Sequence, residues 1–336
     1  VEFFLFGAVV VFAGGFAFIN GFHDVSNSIA TSIRTRALTP TVAVLLAALF
    51  NLIGALMSAS LATLFTGGSI SLPAGQSGLG ILLAALLSAC AWGLFTWYRG
   101  KPSSSTHALI GGLIGAGGAA ALLGGRSISG SGRVFLLEIA LPLLLSPLVA
   151  YLLAYVLVFP STWLLRHNSP RKVNNGNRMA QAVLTAAFAL GHGLQDGQRT
   201  MVVIVLALVG AGLYSGDGVP LWVQVFAAVL LAGGSLLGGW RITHTLANRL
   251  VRIDPLRGMA AQGVSAFMLF VGALSLDMPL SSTHTMTSAI VGAGANQRYA
   301  TVRGRVVRSV LVVWITTAPV TALLAATLYL AMSPLF

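Results

Sequence analysis

Ten apolar stretches occupy most of this chain, near residues 3–19, 40–65, 79–98, 103–123, 134–160, 180–213, 219–240, 259–276, 279–296 and 306–331. Most are close to the roughly 20 residues that a helix needs to cross a hydrocarbon core. Few folds remain open to such a chain. Lipid offers no water to satisfy backbone N–H and C=O groups, so only helices or closed barrels cross it, and stretches of this length predict helices. The expectation is an all-α polytopic membrane protein with the lipid bilayer as its first partner. Only 8% of the residues are charged, against roughly 25% in soluble domains, which excludes the soluble globular classes.

A formal charge of +12 would point a soluble protein toward nucleic acid. Here the basic residues collect in the links, at Arg34 and Arg36, at Arg166, Arg171, Lys172 and Arg178, at Arg241, Arg249, Arg252 and Arg257, and at Arg298, Arg303, Arg305 and Arg308. The positive-inside rule accounts for them with no nucleic-acid partner. Links 66–78 and 214–218 carry no Lys or Arg. That alternation places both chain ends outside, with Arg126 and Arg133 as the exception. The first stretch follows Glu2 rather than a basic segment, so it is expected to stay as a helix and not to leave as a signal peptide. The single cysteine, Cys90, rules out an internal disulfide framework and is expected to pack as a small side chain.

The two halves of the chain are related. "PSSSTHALIGGLIGAG" at 102–117 and "PLSSTHTMTSAIVGAG" at 279–294 agree at eight of sixteen positions and lie 177 residues apart. At an offset of 172, Asn20, Asp24 and Asn27 fall on His192, Asp196 and Arg199. The chain therefore reads as a first transmembrane repeat at 1–163, a basic cytoplasmic linker at 164–179 and a second repeat at 180–336. Five segments per repeat is an odd number, so the second enters the membrane inverted. If the segments flanking each S-S-T-H motif are re-entrant hairpins instead of crossing, the count falls to three, and the inversion stands. Inverted repeats with broken helices and hairpins meeting near the midplane are the pattern of secondary transporters.

Two sets of residues carry the chemistry. In "NGFHDVSNSIATSI" at 20–33, Asn20, Asp24, Asn27 and Thr31 recur at spacings that form one helical stripe, with His23 beside them. In the second repeat His192, Gln195, Asp196 and Arg199 occupy the corresponding stretch. Ionisable side chains inside a membrane cost about 2.5–3.5 kcal/mol each on insertion scales and mark substrate or ion paths. The alternative is an interhelical clamp in which Asp196 and Arg199 neutralise each other. Each S-S-T-H motif reads as a helix N-terminus. Pro102 and Pro279 suit a first turn, and Ser104, Ser105 and Thr106, with Ser281, Ser282 and Thr283, add hydroxyls to free N–H groups, which together make an anion site. Ordinary capping is the alternative for these six, and a hydrogen-bonded structural role is the alternative for His107 and His284. Arg99 and Lys101 either approach the anion or anchor the chain at the cytoplasmic surface.

These residues resemble those of the inorganic phosphate transporter (PiT) family over nearly the whole chain. "GFHDVSNSIATSI" and "GHGLQDGQRTM" are similar to its paired G-x-N-D-type motifs, the two P-x-S-S-T-H segments to its hairpin motifs, and "GGWRITHTLANRLVRIDPLRGMAAQ" to its second-half G-x-x-x-T…P-x-x-G-x-x-A-Q region. The resemblance implies cation-driven phosphate uptake across the plasma membrane, here a bacterial inner membrane, through two inverted repeats, often as a homo-oligomer. It implies that Ser104, Ser105, Thr106, Ser281, Ser282 and Thr283 grip phosphate with Arg199. It assigns Asn20, His23, Asp24, Asn27, His192, Gln195 and Asp196 to the coupling cation or to shaping the site. Sodium-driven members usually carry N-D-V-A-N in both motifs, whereas this chain has H-D-V-S-N and Q-D-G-Q-R. A fixed cation at Arg199 repels sodium. That departure resembles the bacterial low-affinity branch, thought to use protons and to carry phosphate with Mg2+ or another divalent metal. The expected coupling ion is H+, with Na+ as the alternative, and no cofactor or resident metal is assigned. Arsenate, with phosphate's shape and protonation, is the expected analogue. The rival readings are a sulfate carrier, an anion channel and an intramembrane serine hydrolase, the last weakened by two symmetric motifs where catalysis needs one asymmetric site.

Overall fold

The computed structural model describes residues 1–58, 70–124, 128–130, 132–215, 218–274, 279–297 and 302–335. Among them are ten long helices, one for each apolar stretch: α1 (Glu2–Arg34), α2 (Pro40–Met57), α3 (Gln76–Tyr98), α4 (Ser105–Leu122), α5 (Leu141–Leu165), α6 (Pro170–Gly210), α7 (Leu221–Ser235), α8 (Pro255–Leu274), α9 (Ser282–Ala295) and α10 (Gly304–Met332). Six helical segments are long and apolar enough to cross a membrane. α1 runs unbroken through the polar stretch, because an α-helix satisfies its own backbone and leaves only side chains to be partnered. Residues 170–179 of the expected linker are helical, since Pro170 takes the first turn of α6 and leaves residues 166–169 as the turn.

α3 and α4 form one hairpin and α8 and α9 another. The open end of the first lies where Gly75 N–H donates to Gly210 O at 2.8 Å and Ile70–Ser71 pairs with Ser129–Gly130. The open end of the second lies where Arg257 Nε donates to Asn296 O and Gln181 Nε2 donates to Pro255 O. Gly210 and Gln181 sit toward opposite ends of α6, so the hairpins enter from opposite ends of the bundle and the first turns of α4 and α9 meet inside it. One helix is broken as well: α7 bends by 52° into residues 240–249, through Gly238 and Gly239 at φ 80° and 50°, a region that favours glycine.

The halves interlock. α1 packs on α7 and α2 on α6, while α5 packs on α9 and α10 on α4. One close approach repeats at the 172-residue offset: a Cβ on Gly21 would lie 2.0 Å from Leu231 O, and one on Gly193 would lie 2.4 Å from Asn51 O. Both sites are backbone-to-backbone contacts with no flexible neighbour to yield. Gly21→Val is therefore expected to destabilise the protein by about 2 kcal/mol or more through overpacking. Gly7→Val, at a position with nothing within 4 Å of a new Cβ, should leave the detergent-solubilised melting midpoint unchanged.

Candidate functional site

The hairpin turns bring both S-S-T-H motifs onto the polar stretches of α1 and α6. Ser104 and Ser281 cap their helices, accepting the His107 and His284 backbone N–H at 3.3 and 3.2 Å. The capping alternative thus holds for these two hydroxyls, and their helices still present first-turn N–H groups. The two motif histidines meet with ring centroids 4.7 Å apart, and His284 stacks on Trp314 at 4.0 Å. Trp314 in turn donates to Pro102 O. Each motif therefore touches the other repeat's machinery.

Asp24 is the hub of the site. Ser282 Oγ donates to its Oδ2 at 3.1 Å and Thr283 Oγ1 to its Oδ1 at 3.0 Å. Asn27 Nδ2 donates to Thr283 Oγ1 at 3.0 Å. His23 Nδ1 lies 2.8 Å from Asp24 Oδ1, and its Nε2 faces Thr96 Oγ1 at 3.3 Å and Ser103 Oγ at 3.4 Å. Neighbouring residues of α1 thus reach the two motifs, His23 the first and Asp24 the second. His192 Nε2 stands 3.0 Å from Asp196 Oδ2 and 3.8 Å from Asp24 Oδ2, placing both aspartates against one nitrogen of the same imidazole. Asn20 Nδ2 also donates to Asp196 Oδ2. Every one of these side chains is at least nine-tenths buried.

Arg199 is committed to protein groups. It donates to Asp196 Oδ1, to Leu280 O at 2.8 Å and to Gln195 Oε1 at 3.4 Å. Gln195 accepts Leu280 N–H at 3.1 Å and donates to Leu269 O. Together they hold both legs of the second hairpin near its turn. Ser105 is half-buried, Thr106 is buried, and a cleft beside the first turn is lined by Asn20, His23, Trp92 and Ser103 to Ser105. Arg99 faces away, its guanidinium over the Phe95 ring. Three residues that sequence reasoning passed over join the network: Ser103, Thr96 and Asn51, whose Oδ1 lies 2.9 Å from His192 Nδ1. A lone amide in the middle of the apolar stretch 40–65 was the available sign of Asn51.

Two kinds of ligand fit these groups. Two helix N-termini with hydroxyls suit an oxyanion. Asp24, His192 and Asp196 offer three ligand atoms within 4.8 Å of one another, and the buried Asn20 Oδ1 and Asn27 Oδ1 accept no hydrogen bond, which suits a cation beside the anion. A family model described as the phosphate transporter family matches the chain at residues 20–179 and again at 165–325. The chain belongs to that family. It is 37% identical to a probable low-affinity inorganic phosphate transporter of Bacillus subtilis (strain 168), over 98% of this chain and 97% of that one. It is 40% identical to a protein of the same description from Rhizobium meliloti (strain 1021), over 94% and 93%. Its fold matches a solved structure described as the sodium-dependent phosphate transporter, with a TM-score of 0.85 at 20% identity, covering 99% of this chain and 100% of that one. As a member of the family the chain is a multi-pass membrane transporter and not an enzyme. Ser104 and His107 lie 2.9 Å apart, as a serine and its base would, and the same hydroxyl accepts the His107 backbone N–H as the cap of its helix.

Proposed function

We propose that this protein imports inorganic phosphate across the bacterial inner membrane by cation symport, with H+ as the coupling ion and phosphate travelling alone or with a divalent metal. One observation carries the reading: Asp24 of α1 accepts hydrogen bonds from Ser282 and Thr283 at the turn of the opposite repeat's hairpin. An ionised carboxylate and an oxyanion compete for the same donors and repel each other at low dielectric. A cation on the Asp24 cluster relieves the repulsion and frees both hydroxyls to turn to phosphate. Cation and anion then raise each other's affinity, which is the condition for coupling. Ser104 to Thr106 close on the anion from the first repeat. Asn20, His23, Asn27, His192, Gln195 and Asp196 hold or shape the cation side, and Arg199 supplies a fixed positive charge where a sodium ion would otherwise be wanted. An ionised carboxylate accepts the P–O–H of phosphate, whereas sulfate at neutral pH has no such proton, so phosphate and arsenate are preferred.

The test is labelled-phosphate uptake into proteoliposomes under imposed pH, sodium or magnesium gradients. Uptake should collapse with a protonophore and be unchanged when choline replaces sodium. Arsenate should compete and sulfate should not. A strict sodium requirement, the property named for the solved structural neighbour, would overturn the coupling ion and leave phosphate transport standing. Counterflow, in which internal unlabelled phosphate speeds entry of label, separates this carrier from a channel.

A further inference from the structure

Between the aspartates and the Arg178 end of α6, α1 meets α6 and α8 through a ladder of buried polar side chains. Ser32 Oγ lies 2.5 Å from Thr185 Oγ1 and donates to Gln262 Oε1 at 3.1 Å. Gln262 Nε2 donates to Thr185 Oγ1 at 2.9 Å and to Ser28 O at 2.7 Å. Farther along, the Thr35 hydroxyl donates to Gln181 Oε1, and Arg178 Nε donates to Thr35 O. Ser32, Gln181, Thr185 and Gln262 have no exposed surface. On the same segment of α1, Ser28 Oγ and Thr31 Oγ1 are equally buried and make no hydrogen bond.

The sequence duplication supplies an internal control. At the 172-residue offset, Ser32 and Thr35 correspond to Ile204 and Ala207, and Gln181 and Thr185 to Val9 and Ala13. At the hairpin offset of 177, Gln262 corresponds to Ala85. All five counterparts belong to one buried apolar cluster that closes the opposite half of the bundle. Packing three helices against one another therefore does not call for polar side chains in this architecture, because the equivalent seam is packed with Val, Ile and Ala. The difference between the seams lies in what happens when water enters. Opening the apolar one exposes hydrocarbon. Opening the polar one exchanges hydroxyl and amide hydrogen bonds for bonds to water, with little net change.

We propose that this seam is the hydrated passage by which the oxyanion moves between Asp24 and the Arg178 end, and that the Ser32–Thr185–Gln262 contact is its closed gate. The inference rests on the transport reading and adds a route to it. Ser28, Thr31 and Thr35 line the way past the gate, offering neutral donors that bind an oxyanion without holding it as a buried Arg or Lys would.

The test uses the full chain in proteoliposomes, with Cys90→Ala and the pair Ser32→Cys and Thr185→Cys. Oxidative cross-linking is expected to lower counterflow of radiolabelled inorganic phosphate at least about tenfold and a reductant to restore it, while equilibrium phosphate binding changes less than about twofold. Thr185→Val, which keeps the shape and removes the hydroxyl, should slow exchange at saturating phosphate with KM little changed, and Thr185→Ser should exchange at the wild-type rate. A cross-linked seam that still exchanges, or a Thr185→Val protein that exchanges as fast as wild type, overturns the proposal. A wild-type protein that binds and exchanges no phosphate removes the transport reading, and this inference with it.

Discussion

Asp24→Asn is expected to abolish concentrative phosphate uptake, lowering accumulation by about 100-fold or more while the protein still folds; that factor corresponds to about 2.7 kcal/mol of lost coupling between cation and anion. Asparagine has the shape of aspartate and keeps one carbonyl oxygen to accept from Ser282 or Thr283. Its amide hydrogens replace the other acceptor, so one of the two hydroxyls must find a new partner. The negative charge is gone, and with it both the repulsion that excludes an uncompensated oxyanion and the attraction for the cation that relieves it. Phosphate binding should therefore survive or tighten, and counterflow, which needs no net cation movement, should fall far less than uphill uptake. Asp196→Asn should have the weaker effect, because Arg199 already lies against that carboxylate. Measuring uphill uptake and counterflow on the same vesicles separates these effects. Full accumulation by Asp24→Asn would make the carboxylate structural and end the coupling scheme.

The helices, the duplication and the two polar motifs were legible in the sequence because each is a local pattern: an apolar run, a repeated string, a stripe at helical spacing. α1 carries its polar residues on the face that meets α6, and the S-S-T-H segments do begin helices. What could not be read was which of these local patterns touch. Asp24 bonds Ser282 and Thr283 across more than 250 residues, and no periodicity reports a contact of that separation. Hydropathy could not decide whether the segments around each motif cross or fold back, since a hairpin leg and a spanning helix have the same composition. The packing of each repeat's outer helices on the other's hairpin was hidden for the same reason. Arg199 illustrates a different limit. The resemblance implies a grip on phosphate for this residue, and the structure adds its bonds to Asp196, Gln195 and Leu280 O, the last a backbone carbonyl that sequence does not display.

That arrangement sets the size of the second large effect. Arg199→Gln leaves Asp196 fully buried with its guanidinium partner gone, and breaking a buried pair from one side costs about 3–5 kcal/mol, because the remaining charge is neither solvated nor compensated. His192, 3.0 Å away, can offset part of this if it holds a proton, and the turn of the second hairpin also loses the bond to Leu280 O. The expected result is a steep fall in the thermal midpoint of the detergent-solubilised protein together with loss of uptake. Asp196→Asn added to Arg199→Gln should recover most of the lost stability, since two neutral amides can hydrogen-bond where one stranded charge could not, and the pair should show strong coupling in a double-mutant cycle. Uptake should not recover in step, because the doubly neutral site has lost one of its two carboxylates and the fixed positive charge of Arg199. A phosphate-gripping Arg199 predicts the reverse: a raised KM in the single variant, little change in stability, and no rescue by the partner substitution. Melting curves and uptake kinetics on the four proteins of the cycle therefore decide whether this arginine belongs to the substrate or to the charge balance of the carrier.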